Sequence, residues 1–191
     1  MKHHFHSGAV RAAIIAAVSV GTGSLGNAAG LEKGQTEAGA VAGIVSGIGT
    51  HGTIGVQAAT GVTERIAAYG ELSFIPGGGG NSSFGGVTST ASARALNLNG
   101  GIHYQFGAHG KAVPYAAAGL GVLRSSASYR SSGAGVDIRG SASATNLYFN
   151  FGGGLRYYVK DNWGFRPELM IFAGDQTYVR LGVGIFYEFG K

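Results

Sequence analysis

Cysteine is absent from the 191 residues of this chain, which excludes disulfides and thiolate metal sites. Proline occurs only three times and tryptophan once. Charge is scarce as well: Asp, Glu, Lys and Arg make up 12% of the residues, against about 25% in an average soluble domain. Such a surface is not built mainly for water. No segment beyond the N-terminal apolar run carries a 3.6-residue apolar period, which leaves strands rather than helices. The cations stand singly instead of in clusters, and this argues against a nucleic-acid partner.

What the chain has instead is glycine, 37 residues of it, and a strict two-residue alternation. Across residues 146–160, Leu147, Phe149, Phe151, Leu155, Tyr157 and Val159 share one face. Asn146, Tyr148, Asn150, Arg156, Tyr158 and Lys160 share the other. Side chains of a strand alternate between faces, so period two means a sheet with one apolar and one polar surface. The same rule governs residues 96–106 and 179–189. The length suits one domain with enough chain for a closed barrel.

The N-terminus reads as an export signal. Lys2 and Arg11 precede the apolar run 12–20, and small residues lead to a cleavage point after Ala28 or Ala29. The run is too short to span a bilayer, which needs about 20 residues. Losing Lys2 and Arg11 takes the formal charge from +5 to +3, and His3, His4 and His6 leave with the signal. Residues 1–29 are thus expected as a signal peptide, 30–35 as a short periplasmic linker and 36–191 as the barrel domain.

Eight strands are predicted, at 36–45, 53–62, 66–76, 89–106, 113–126, 142–160, 164–172 and 177–189. The facing of the first, second and fifth, rich in Gly and Ala, is left open. Connections alternate in character. Residues 63–65, 107–112 and 161–162 are short, while 77–86 and 127–141 are read as long loops rich in Gly and Ser. Residues 46–52 and 174–176 are shorter connections on that second side. Long loops at one end and tight turns at the other are the habit of outer-membrane barrels. Pro167 cannot donate a ladder bond, so a bulge or local widening is predicted there.

Alternation alone does not say which face is inside, and a soluble lipocalin-like barrel is the competing architecture. Three observations favour an apolar exterior. The polar faces hold mainly Asn, Gln, Gly and Tyr, too little charge for a wetted outer wall. Gly101, Gly152, Gly154, Gly164, Gly182 and Gly184 fall on the polar face, as a narrow eight-strand lumen demands. Finally, Tyr104, Phe106, Tyr157, Trp163, Phe165, Tyr187 and Phe189 gather at the turn side, like an interfacial aromatic girdle.

A signal peptide, eight alternating strands, short periplasmic turns and the closing strand 179–189 together resemble the small OmpA/OmpX-type outer-membrane barrel family. The resemblance implies an all-β, eight-stranded antiparallel up-and-down transmembrane barrel in a bacterial outer membrane. It further implies a monomer surrounded by outer-membrane lipid and inserted by the barrel-assembly machinery through its last strand. Members usually end on an aromatic residue, whereas Gly190 and Lys191 follow Phe189 here.

Candidate sites divide by face. Glu71, Arg156, Arg166, Glu168, Arg180 and Glu188 are predicted to face the lumen, where unpaired charges are costly and opposite signs should pair. They read either as a polar plug or as a gate in a narrow pore. The Gly47-Ile48-Gly49-Thr50-His51-Gly52 segment matches G-x-G-x-x-G but lacks the helix that should follow, and Gly21 to Gly26 matches equally. Neither supports a cofactor. His51 falls in a loop, His103 on the inward face and His109 in a periplasmic turn, with no outward Ser/Glu pair and no G-x-S-x-G elbow beside them. No catalytic, metal or cofactor residue is therefore expected. The favoured reading is a non-catalytic envelope or surface-contact protein. The alternatives are a narrow pore or small apolar-solute channel and, further off, a lipid-modifying enzyme.

Overall fold

The computed structural model describes residues 30–47, 49–133 and 135–190, so the expected signal peptide lies outside the described residues. Eight strands follow one another: β1 (Thr36–Ser46), β2 (His51–Gly61), β3 (Ile66–Phe84), β4 (Val87–Gln105), β5 (Ala112–Gly133), β6 (Val136–Lys160), β7 (Trp163–Gly174) and β8 (Tyr178–Phe189). Each pairs antiparallel with its sequence neighbours, and β1 with β8 closes the barrel. Thr36 is opposite Phe189, so both ends of the barrel domain meet at one rim.

Burial follows the alternation strand by strand. Along β8, Tyr178, Arg180, Gly182, Gly184, Phe186 and Glu188 are buried, and every residue between them is exposed. The usual partition is inverted: Arg156 and Arg166 are 0% exposed, while Leu147 and Phe149 are 65% exposed. The facing of β1, β2 and β5 also emerges, with Glu37, Val41 and Val45 inward on β1, Thr53 and Gln57 on β2, and Tyr115, Ala117 and Leu123 on β5.

The two long loops are a correction. Residues 77–86 and 127–141 are extended hairpins, not polar loops. β1, β2, β7 and β8 have 11 or 12 residues, close to one bilayer crossing, whereas β3 to β6 have 19, 19, 22 and 25. The extra length stays paired because every strand meets a partner of matching composition. Hydroxyls face one another across it, Ser83 to Thr88 at 3.0 Å, Ser92 to Ser128 and Ser89 to Ser131 at 2.9 Å. The β3–β4 turn is made by Gly85 and Gly86, at φ 59° and 77°, a conformation that costs glycine little.

Two prolines mark irregularities. At Pro167 the β8 ladder continues through Val183, but pairing with β6 lapses between Gly154↔Glu168 and Tyr157↔Phe165 and resumes in the same register. The widening is there without a bulge. Beyond Pro76 the register shifts, since Pro76 opposes Arg94 and Gly79 opposes Ser92, so β3 gains one residue on β4.

Residues 30–35 pack against the near mouth of the barrel. Leu31 is fully buried beside Ala59, Ala67 and Tyr69. Its N–H donates to Gln105 Oε1 at 3.0 Å, and Gln105 Nε2 donates back to its carbonyl at 3.0 Å.

Candidate functional site

Two regions of the barrel concentrate chemistry, the lumen and the sheet that rises above it. In the lumen, all eight strands contribute to one polar network built around charged side chains. Arg156 Nε donates to Glu37 Oε2 at 2.8 Å, and Arg166 donates to the other oxygen of Glu37 and to Gln57. Arg156 Nη2 lies 3.0 Å from His103 Nδ1; since arginine only donates, that nitrogen accepts. Arg166 Nε is 3.5 Å from Glu168 Oε2, which also accepts from Tyr115 Oη at 3.1 Å. Arg180 Nη2 reaches Glu168 Oε1 at 2.6 Å and Glu71 Oε2 at 2.7 Å. Glu188 accepts from Tyr158.

All six inward charges therefore sit in the lumen, five of them in one string of ion pairs, while Glu188 accepts from Tyr158. Glu37 is the member that sequence reasoning missed, and it bridges two arginines. The signal was its spacing of four from Val41 and eight from Val45, which places all three on one face of β1. Gly184 leaves room for one of these long side chains, since a Cβ there would lie 3.4 Å from Arg166 Nη2, whereas Gly101 lets the strands approach, since a Cβ there would lie 2.1 Å from the Ala118 carbonyl oxygen. Further up, the lumen turns apolar, with Val45, Ile75, Leu123, Tyr148, Phe172 and Tyr178 packed together.

The second region is the upper half of β3 to β6. β2 leaves β3 after Phe74, and β7 leaves β6 after Tyr148, so four strands continue as a sheet with two open edges. From Val136 to Leu147, β6 has no partner on its outer side, a run of roughly 40 Å at about 3.4 Å per residue. The faces of this sheet reverse the chemistry below. Its lumen-side face carries Ala91, Ala93, Leu123, Ala127, Ala142 and Ala144, whereas its outer face carries Arg94, Arg124, Arg130, Asp137 and Arg139 among Ser and Thr. At the base of the inner face a cavity of about 410 Å³ lies over Tyr148, Tyr178, Ile75 and Leu123, with His51, Asp175 and Gln176 in its lining. The Ser/Ala alternation Ser141-Ala142-Ser143-Ala144 was the sequence signal for this strand extension.

The remaining candidates are placed as follows. Tyr104, Phe106, Tyr157, Phe165, Tyr187 and Phe189 point outward near the turn-side rim, exposed, and half-buried Trp163 packs edge-on against Phe165 at 5.8 Å. Tyr104 meets Phe106 at 5.3 Å, and Tyr187 meets Phe189 at 4.9 Å. Of the G-x-G-x-x-G segment, Gly47, Gly49 and Thr50 fall in the β1–β2 connection, while His51 and Gly52 open β2, a strand and not a helix. His103 is buried and stacked on Tyr69 at 4.2 Å, while His109 bridges to Ala112 in a turn.

The profile of the family described as outer membrane protein beta-barrel domain matches residues 12–189. The chain belongs to that family. No curated protein matches it. Among solved structures it is similar to the attachment invasion locus protein Ail of Yersinia pestis, with 14% identity, a TM-score of 0.54, and 82% of this chain and 99% of that one covered. The neisserial surface protein A gives 14% identity and a TM-score of 0.57, over 81% of this chain and 96% of that one. For the N-terminal barrel of Pseudomonas aeruginosa OprF the values are 19% and 0.50, over 82% and 98%. These likenesses are of fold. This member of the outer membrane protein beta-barrel family accordingly sits in a bacterial outer membrane, with Leu147 and Phe149 against lipid and Arg156 in the lumen.

Proposed function

We propose that this barrel is a non-catalytic surface-contact protein, and that its contact element is the raised sheet of β3 to β6. The observation that carries the reading is the doubled length of these four strands, which lifts two open sheet edges clear of the strands beside them. Unpaired N–H and C=O groups along an edge recruit an extended partner segment by strand addition. The β6 edge is the longer one, and its middle stretch, residues 140–144, is all Gly, Ser and Ala, small enough to let another backbone approach. The lumen supports a plug rather than a conduit: Arg156 and Arg166 are wholly buried and held by carboxylates. On this reading the protein is a monomer inserted by the barrel-assembly machinery, its aromatic belt rests at the inner interface, and residues 1–29 direct export.

The test is a barrel whose hairpins are cut back by deleting residues 79–92 and 127–142 and rejoining each pair with a short turn. Cells displaying the full chain should adhere to protein-coated surfaces, and cells displaying the shortened barrel at equal density should lose most of that adherence. Equal adherence by both overturns the reading. Stepwise currents through the purified full chain, altered by Arg166→Gln, would favour the pore instead.

A further inference from the structure

The outer face of the raised sheet changes character over a single step along each strand. On β4 the outward residues Leu98 and Leu96 are exposed and apolar, and the next one outward is Arg94. On β5 the sequence runs Leu120, Val122, then Arg124. Arg94 lies opposite Ser126 and Arg124 opposite Leu96, so the two guanidinium groups belong to diagonal neighbours on one face. Both are exposed, and neither has a carboxylate within ion-pair distance among the described residues. Two like charges side by side without a counter-charge are unfavourable unless an anion joins them.

Height decides which anion. Arg94 is two residues beyond Leu96, about 7 Å along the strand. The headgroup layer on each side of the hydrocarbon is roughly 5–7 Å deep. Arg124, opposite Leu96, marks the upper edge of the apolar wall and Arg94 reaches beyond it, so the pair spans the layer that holds the phosphates of the outer leaflet. A shallow cavity of about 510 Å³ opens between the two arginines, and Ser92, Ser126, Ser128 and Ser143 line it with hydroxyls. Guanidinium forks match phosphate bidentately, and the serines can donate to the remaining oxygens. Higher up the same face, Arg130 and Arg139 already share Asp137, at 3.5 and 3.1 Å. The tip group thus keeps one net positive charge, whereas the pair at the membrane surface keeps two, which favours a lipid over a soluble polyanion.

We propose that Arg94 and Arg124 clamp the phosphate of a phosphorylated lipid headgroup in the outer leaflet. The site is independent of the contact role of the sheet edges. Native mass spectrometry of the full chain in detergent, titrated in parallel with diphosphoryl and monophosphoryl lipid A, tests it. The wild type should retain the diphosphoryl form about tenfold better. R94Q/R124Q should abolish that preference, R94K/R124K should keep part of it, and R130Q/R139Q should leave it unchanged. Both arginines are exposed, and heat-modified gel migration verifies that each variant is a folded barrel. Equal retention by wild type and R94Q/R124Q overturns the proposal. So does displacement of the lipid by millimolar inorganic phosphate, which would make the pair a general anion site. Heparin binding that depends on Arg94 and Arg124 while lipid retention does not would assign the pair to a soluble polyanion, and also overturns it.

Discussion

The lower and upper halves of β4, β5 and β6 are one continuous set of strands with opposite dress. Below Leu96 and Leu147 the outward positions are Leu, Phe and Ile, and the inward ones include Asn97, Asn99, Asn150 and Arg156. Above them the outward positions are mainly Arg, Ser and Thr, and the inward ones include Ala91, Ala93, Ala127, Ala142 and Ala144. The pairing passes through the change without a break, from Gln105↔Tyr115 up to Thr88↔Ser132. Hydrogen-bonded backbone thus supplies the shape in both halves, and the surrounding medium selects the side chains. Lipid accepts only apolar side chains outside, whereas water wets the outer face of the raised sheet and leaves its inner face free to be apolar.

That contrast can be broken most severely from inside the lower half. Arg180→Gln leaves Glu71 and Glu168 buried without their shared cation. A loss of about 3–5 kcal/mol is expected for breaking such a pair, read as a lower urea midpoint for unfolding from lipid vesicles. A shift no larger than that of an exposed substitution would refute the network as a structural element. Next comes the wall. Phe151→Arg puts a cation against lipid and should cost about 2–4 kcal/mol, while Ser141→Arg on the same strand, above the membrane, should change the midpoint little. If the two variants unfold alike, the boundary between the halves is misplaced. The smallest effect belongs to the tip, where Arg130→Gln removes an exposed partner of Asp137. A change under about 1 kcal/mol is expected there, best measured as a double-mutant cycle with Asp137→Asn.

The lower half was largely legible in the sequence for the same reason. Where lipid lies on one side and a packed lumen on the other, each residue must suit one of two media, so Leu147 and Phe149 against Tyr148 and Asn150 could be read directly. Glu37 escaped because its neighbours Ala38, Gly39 and Ala40 are small enough for either face. The hairpins escaped because Ser, Ala and Gly are tolerated in water in loops and strands alike, and only cross-strand partners such as Ser92 and Ser128 decide between them. The contact of Glu188 with Tyr158 was not legible, since parity assigns a face and not a height or a rotamer.

The extra residue that β3 gains between Pro76 and Gly79 has a consequence for how the gene can change. It exchanges the two faces of β3 from there to the tip, so that Asn81 and Ser83 look outward, opposite Thr90 and Thr88. The same slip placed below Glu71 would turn that carboxylate toward lipid. A one-residue insertion or deletion above this point re-faces only the raised sheet, whereas one in the middle of the wall would re-face the lumen and lipid sides together. The crown of the barrel can drift in length and sequence between generations while the wall beneath it stays in phase.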